Sequence, residues 1–182
     1  MRWITAIGIV VSATSLLAKP PVPRPAKEIT IETPSGKLRL PRAYRGKVVV
    51  MQFLYTTCPH CQATARLNSK LQQELGSRGL QVVGIAFNEE AEATSAVIRD
   101  FTASNNLNFP VGAASREAVI AYLGISIMER FVVPQIVILD RNGVIRAQSE
   151  FMGSSELQDE TYLRHFLGEL LDETVQAAVR RR

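Results

Sequence analysis

Two patterns of hydrophobic residues follow one another in the middle of the chain. Residues 47–55 and 80–87 are nearly continuous apolar runs, which is typical of strands buried on both faces of a parallel sheet. Between them an apolar residue recurs at every fourth position, which predicts a helix with one apolar face. These positions are Ala63, Leu67, Leu71 and Leu75. A strand, a helix and a strand in this order predict a βαβ unit with a right-handed crossover.

Hairpins are predicted on both sides of this unit. Residues 29–40 alternate apolar and polar side chains around the Ser35-Gly36 turn, which predicts an N-terminal β-hairpin. Residues 134–151 hold two β-rich runs joined through Asn142-Gly143, which predicts a second one.

The remaining segments predict further helices and one short strand. They are a helix at 91–104 capped by Asn88, a strand at 109–112, a helix at 115–124, a capping box from Ser155 to Gln158, and a last helix whose apolar face runs from Leu163 to Val175. We expect this last helix to dock on the sheet.

The N-terminal residues have the pattern of an export signal. Arg2 is followed by an uncharged, mostly apolar stretch at residues 3–18, shorter than the roughly 20 residues of a membrane span. We therefore expect a signal peptide cleaved near Ala18, with an uncleaved N-terminal anchor as the alternative. The proline-rich residues 19–28 predict a stiff linker, which leaves residues 29–180 as one domain in an oxidising, periplasmic compartment.

Composition agrees with one folded domain and argues against nucleic acid as a partner. The chain has 182 residues, of which 46% are hydrophobic and 21% are charged, as in a compact globular protein. The net charge is +4, but lysines and arginines are scattered and the only run is at residues 180–182. No basic stripe alternates with aromatic residues, so we expect no nucleic-acid binding.

The two cysteines of the chain, Cys58 and Cys61, stand where the first apolar run gives way to the predicted helix. Pro59 suits the first helical position and stiffens the turn. A helix start offers unpaired N–H groups and partial positive charge, which favour a thiolate at Cys58, and a protonated His60 would add to this charge. The pattern predicts a redox pair in which Cys58 attacks a substrate disulfide and Cys61 resolves the mixed disulfide.

Two other uses of the cysteine pair are less well supported. A structural disulfide between neighbours three residues apart would close a very small loop and contribute little stability. A zinc site needs four ligands, whereas the chain has only two histidines, one of which, His165, is in the distant last helix. We therefore expect neither a metal nor another cofactor.

Three segments together resemble the thioredoxin-fold redoxins of the TlpA/ResA type, which are related to the AhpC/TSA proteins. They are the cysteine pair after 48-VVVMQFLY-55, the downstream 133-VPQIVILDRNG-143 and the upstream 36-GKLRLPRAYRGK-47. The resemblance implies an α/β, thioredoxin-like fold in which a central mixed sheet is flanked by helices. It also implies an N-terminal β-hairpin and a redoxin-type insertion of a strand and a helix at residues 109–124.

The resemblance also implies a further site residue, Pro134, as a cis-proline beside the cysteine pair. A cis-proline there would leave the backbone of Val133 free to pair with a bound substrate strand. From spacing alone, Pro134 is equally well an ordinary proline at the start of a strand.

The chain departs from these redoxins at the positions that usually move the proton of the second cysteine. The buried aspartate of thioredoxin, six residues before the first cysteine, is replaced by Gln52, and the frequent glutamate three residues after the second cysteine is replaced by Thr64. Gln135 follows the proline, where threonine is usual. Glu89 and Glu90 could substitute, although a first-turn glutamate is commonly explained by the helix dipole.

The leading hypothesis is an exported thiol-disulfide oxidoreductase that exchanges disulfides with protein thiols. We expect it to work in the reductive direction, with a membrane or soluble electron-transfer partner. The second hypothesis is a peroxiredoxin-like thiol peroxidase. Its usual Thr or Ser three residues before the cysteine and Pro seven before are replaced by Tyr55 and Met51. A third is a metallochaperone that holds a soft ion such as Cu(I) between the two thiolates.

Overall fold

The computed structural model describes residues 19–88 and 93–179, with side chains in the last helix up to residue 173. The described strands are β1 (Arg24–Pro25), β2 (Ile29–Thr33), β3 (Gly36–Leu40), β4 (Val48–Leu54), β5 (Leu80–Ala86), β6 (Val111–Ala113), β7 (Gln135–Leu139) and β8 (Val144–Gln148). The α-helices are α1 (Pro59–Leu75), α2 (Ser95–Ser104), α3 (Arg116–Leu123) and α4 (Glu160–Val179). Within this part of the chain, no helix has the length and apolar character needed to cross a membrane.

The strands form one mixed sheet in the order β1-β8-β7-β4-β5-β6-β2-β3. At its centre β4 runs parallel to β5, from Val48 opposite Leu80 to Leu54 opposite Ala86, and antiparallel to β7. The βαβ unit, both hairpins and the inserted strand and helix are therefore confirmed. The predicted export signal lies outside the described residues.

The sheet separates two hydrophobic cores, because successive side chains of a strand point to opposite faces. Val48, Val50 and Leu54 of β4 belong to a core shared with α1, α2 and α4. Val49, Met51 and Phe53 belong to a core on the opposite face, shared with the β2–β3 hairpin and α3. The predicted docking of α4 on the sheet is confirmed by its buried leucines, which are Leu163, Leu167, Leu170 and Leu171.

The buried face of α1 differs from the prediction. Ala63 is exposed and Leu67 is only half-buried. The helix instead buries a face on which Thr64, Asn68 and Ser69 are polar. The buried residues are Cys61, Thr64, Ala65, Asn68, Ser69 and Leu71. The spacing of apolar residues misplaced this face because a polar side chain in the sheet requires polar partners on the helix above it.

Two predicted helix caps are wrong. Thr94, not Asn88, is the N-cap of α2, and its hydroxyl oxygen accepts a hydrogen bond from the backbone N–H of Val97. Ser155 makes no capping bond and precedes only a short 3₁₀ turn. The α4 helix begins later, where Asp159 Oδ1 accepts a hydrogen bond from the Tyr162 N–H at 2.8 Å. In both cases a nearer polar residue satisfies the helix N–H groups.

Part of the segment predicted as a linker is docked on the sheet. Arg24 and Pro25 pair with Ile145 and Val144 of β8 and thereby form one edge strand of the sheet. Lys19 donates a hydrogen bond to the Gln148 carbonyl oxygen at 3.0 Å.

Candidate active site

Cys58 lies where the central strand β4 turns into α1. It is the N-cap of α1, with extended backbone angles (φ −77°, ψ 119°), and Pro59 follows in the first turn. The Cys58 Sγ accepts a hydrogen bond from the Cys61 backbone N–H at 3.3 Å. The sulfur therefore occupies the place of a capping oxygen, where an unpaired N–H and the helix dipole both favour negative charge.

The two cysteines differ sharply in exposure, and both are free thiols. Cys58 is half-buried, whereas Cys61 is 0% exposed. Burial, and secondarily a hydrogen bond with Cys58, raise the pKa of the Cys61 thiol above its usual range. Pro59 and His60 are exposed beside the pair. The Cys58 side chain is thus accessible from outside the molecule, whereas the Cys61 side chain is not.

Pro134 lies at the same edge of the sheet as Cys58. Phe53 of β4 pairs with Gln135 of β7 in an antiparallel register, so the residues just before Gln135 lie opposite the end of β4. The Val133–Pro134 peptide bond is cis. Pro134 is buried and Val133 is half-buried.

Gln135 fixes the segment before Pro134. Its side-chain Nε2 donates hydrogen bonds to the carbonyl oxygens of Val132 at 2.8 Å and of Glu150 and Phe151 at 3.1 Å. The Val132 N–H in turn donates to the Phe151 carbonyl oxygen at 2.9 Å. The amide side chain thus ties the loop that ends at Pro134 to the loop after β8.

A pair of buried amide side chains lies beneath Cys61. Gln52 Nε2 donates to the Cys61 carbonyl oxygen at 2.8 Å, and Gln52 Oε1 accepts from Asn68 Nδ2 at 3.0 Å. The buried Asn68 Oδ1 has no partner among the described residues. Thr64 is also buried and lies 3.5 Å from Gln158 Oε1. Gln52 and Thr64 thus place an amide and a hydroxyl at the two positions where the resemblance to redoxins leads one to expect carboxylates.

Sequence analysis did not identify Asn68 as part of this network. The available signal was a polar residue seven positions after Cys61, on the helix face that the second cysteine itself marks as buried. Its partner Gln52 is 16 residues away, so neither residue alone indicates the contact.

Asn88 fixes the turn that carries Cys58. Its Oδ1 accepts a hydrogen bond from the Thr56 N–H and its Nδ2 donates to the Thr56 hydroxyl, both at 2.9 Å. Gln62 Nε2 donates to the Thr56 carbonyl oxygen at 3.0 Å. Glu89 and Glu90, the carboxylates proposed as proton acceptors, lie outside the described residues.

Large exposed apolar side chains occur in the loop that leads to Pro134 and in the loop after β8 to which it is hydrogen-bonded. Ile127 and Met128 are 86% and 87% exposed, and Val132 and Met152 are also exposed. Single exposed apolar residues are common on proteins, but several large ones in two hydrogen-bonded loops make these loops a candidate protein-binding surface.

Metal-binding side chains do not converge in the described part of the chain, where no group of three or more His, Cys, Asp or Glu could hold an ion. His165 is exposed on α4, with its Nδ1 3.7 Å from Glu169 Oε2.

Comparisons with known proteins agree on family and fold. The sequence pattern of the AhpC/TSA family matches residues 22–148. A thiol:disulfide interchange protein of the thioredoxin family from Chlorobium tepidum is similar, with a TM-score of 0.66 and 22% identity over 84% of this chain and 99% of its own. No curated protein sequence matches the chain.

Two further solved structures support the same fold. The thioredoxin domain of a thiol-disulfide oxidoreductase from Bacteroides vulgatus has a TM-score of 0.62 and 16% identity, over 79% of this chain and 96% of its own. A secreted disulfide oxidoreductase from Mycobacterium tuberculosis has a TM-score of 0.55 and 23% identity, over 75% and 92%. The predicted thioredoxin-like fold is thereby confirmed.

Proposed function

The chain belongs to the AhpC/TSA family, and on that basis we propose that it is a thiol-disulfide oxidoreductase acting on protein substrates. The observation that carries this proposal is the placement of the Cys58 sulfur at the start of α1, accessible from outside and hydrogen-bonded to the Cys61 N–H. A capped, partly exposed sulfur is a nucleophile, and a buried thiol one turn away is positioned to displace what it binds.

In the reductive direction, the Cys58 thiolate attacks one sulfur of a substrate disulfide. A mixed disulfide forms and the other substrate sulfur leaves as a thiolate. Cys61 then loses its proton and attacks the Cys58 sulfur, which releases the second substrate thiolate and leaves a Cys58–Cys61 disulfide. Two electrons have passed to the substrate, and the released thiolates take up protons from water or from Cys61.

Protein substrates are supported by the surface around the site. Val132 and Met152 are exposed in two loops that the Val132–Phe151 hydrogen bond joins, and Ile127 and Met128 are exposed earlier in the loop that leads to Pro134. Methionine side chains adapt to apolar surfaces of varied shape, which suits a protein with several partners. In this proposal the backbone of Val133 pairs with an extended substrate segment.

The reductive direction, an exported periplasmic location and a membrane or soluble electron donor belong to this proposal as well. They rest on the resemblance to TlpA/ResA-type redoxins and on the signal-like residues 1–18. The exposed His60 bears on the direction, because a positive charge near Cys58 stabilises the thiolate and makes the pair more oxidising.

A peroxidase is the second candidate, because AhpC/TSA membership and a reactive cysteine are common to both functions. Two contacts weigh against it. Met51 is buried and its sulfur accepts a hydrogen bond from the Tyr122 hydroxyl, while the Tyr55 hydroxyl is bonded to Arg116 Nη1 at 3.0 Å. No small alcohol is thus positioned at these places to orient a peroxide at Cys58.

The test is to equilibrate the protein with dithiothreitol or glutathione buffers and measure the reduction potential of the cysteine pair. A potential near about −270 mV supports the reductive direction, whereas one near about −120 mV indicates an oxidant. Reduction of a model protein disulfide and consumption of hydrogen peroxide are measured in parallel, with Cys58→Ser as the control. Peroxide consumption without disulfide exchange would contradict the proposal.

A further inference from the structure

A groove, away from the cysteine pair, lies between the turn of the β2–β3 hairpin and helix α2. It encloses about 590 Å³ and none of its lining residues belongs to the cysteine turn or to the segment before Pro134. Pockets for small ligands typically enclose roughly 300–1,000 Å³ and are mainly apolar. The groove is therefore separate from the proposed site of disulfide exchange.

The groove stays open because few residues of the β2–β3 hairpin pair with the rest of the sheet. A single residue pair, Glu32 opposite Ala113, connects β2 to β6. The turn after β2 therefore faces α2 across a gap instead of closing on it. The half-buried side chains of Leu38, Tyr44 and Leu107 line this gap, and the core residues Ile98, Phe109 and Val111 lie behind them.

The charged side chains that line the groove, Lys37 and Arg99, are both basic. Lys37 Nζ lies 3.0 Å from Glu32 Oε1 in an exposed ion pair. Arg99 is exposed on α2 and has no hydrogen bond or ion pair within the part of the chain that the structure describes. An unengaged guanidinium at the mouth of an apolar groove is suited to a planar anion such as a carboxylate.

The segment that contributes Lys37 to the groove is itself basic. Residues 36–47 hold five basic and no acidic side chains, more positive charge than the +4 of the whole chain. Such a local excess attracts anions to this side of the molecule. Nucleic acid fits less well, because Phe109 is buried and Tyr44 is the one aromatic side chain of the lining that is accessible for stacking on a base.

We propose that the groove binds a single-chain amphipathic carboxylate of the fatty-acid class. The hydrocarbon chain lies on Leu38, Tyr44 and Leu107, and the carboxylate accepts hydrogen bonds from Arg99. No bond is made or broken in this binding. The proposal is independent of the redox activity and stands or falls separately from it.

The experiment is calorimetric titration of the full chain with sodium dodecanoate below its micelle concentration. We expect one binding site, and at least about tenfold weaker binding of dodecyl maltoside, whose hydrocarbon chain is of similar length but which carries no charge. Equal binding of the two would overturn the carboxylate assignment, and no binding of dodecanoate would overturn the proposal.

Two variants locate the site and one is the control. Arg99→Glu should weaken dodecanoate binding at least about tenfold, because it removes a charge-assisted hydrogen bond and adds repulsion. Arg45→Glu makes the same charge change outside the groove and should have little effect. Ala103→Trp, at an exposed lining position of α2, should fill the groove and abolish binding, with circular dichroism to verify folding.

Equal effects of Arg99→Glu and Arg45→Glu would show that general charge, not the groove, attracts the ligand. A further arm uses vesicles of phosphatidylcholine and phosphatidylglycerol. Sedimentation of the protein with these vesicles, in the absence of dodecanoate binding, would assign the basic surface to a membrane and contradict the proposal.

Discussion

The two faces of strand β4 are equally buried but chemically different. On the face toward the β2–β3 hairpin and α3, Met51 and Phe53 are surrounded by other apolar side chains. On the face toward α1, Gln52 lies between them in sequence and binds the Cys61 carbonyl oxygen and Asn68. Both faces are 0% exposed at these positions, so burial alone does not distinguish them.

The difference shows where this fold accommodates polar groups in its interior. A buried amide destabilises a protein unless its hydrogen bonds are made, whereas a buried phenyl ring stabilises by its area alone. The apolar face can therefore be expected to contribute stability without chemistry. The amide face holds the first turn of α1 at a fixed position under the cysteine pair.

The largest expected effect is the loss of activity when Cys61, on the α1 side of the sheet, is replaced. Cys61→Ser should lower turnover in disulfide exchange by at least about 10³-fold, because the mixed disulfide at Cys58 loses its internal nucleophile. The complex should accumulate and be visible as a mixed-disulfide adduct by mass spectrometry. Unchanged turnover would mean that Cys58 works alone and that the α1 face has no special role.

The apolar face should respond in stability only. Phe53→Ala removes a fully buried ring that packs on Tyr122, with ring centroids 5.5 Å apart, and should cost about 3–5 kcal/mol of unfolding free energy. Urea denaturation measures this loss. The reduction potential of the folded variant should remain that of the parent protein, and a clear change in potential would abolish the distinction between the faces.

The amide face should respond in both stability and reactivity. Gln52→Leu keeps the side chain's approximate size but leaves the Asn68 amide without its partner, which should cost about 1–3 kcal/mol. It also frees the Cys61 carbonyl oxygen, so the rate at which Cys61 resolves a mixed disulfide should change. Stopped-flow measurements of the resolution step across pH test this.

Gln148→Leu is the matched control for that prediction. Gln148 is another buried amide, which donates to the Leu123 carbonyl oxygen at 2.8 Å and accepts from Arg24, but it does not contact Cys61. It should lose similar stability without altering the resolution rate. If both variants change the rate equally, the effect of Gln52 is a general loss of rigidity.

The smallest expected effect is on the pH dependence of the protein's stability. Because burial raises the pKa of the Cys61 thiol, the folded protein keeps this proton at a pH where the unfolded chain, with a thiol pKa of about 8.5, releases it. The stability of the reduced protein should therefore fall as the pH rises above about 8.5, by at most about 1.4 kcal/mol per pH unit from this group.

Denaturant midpoints of the reduced protein between about pH 8 and 10 check this slope, with Cys61→Ala as the comparison. The variant lacks the buried thiol and should show a shallower decline over the same range. The Cys61 pKa also predicts that the parent resolves mixed disulfides faster as pH rises, because more of Cys61 becomes thiolate. Parallel stability curves would mean that the thiol is not protected in the folded state.

Much of the fold was predictable because its signals are local. Continuous apolar runs predicted β4 and β5, and turn residues predicted both hairpins, since strands and turns depend on periodicity and on neighbours in sequence. The position of Cys58 at a helix start was predictable for the same reason. Its role in catalysis, with those of Pro59, His60 and Pro134, stays a prediction.

The sequence by itself determined the order of the elements and the position of the cysteine pair at the start of α1. Only the tertiary structure decided which face of α1 is buried, that Asn88 bonds Thr56 instead of capping a helix, and that Arg24 joins the sheet beside Ile145. The physical reason is the reach of each interaction. Helix periodicity and strand alternation are short-range, whereas a buried polar group is satisfied by whichever distant residue the fold brings to it.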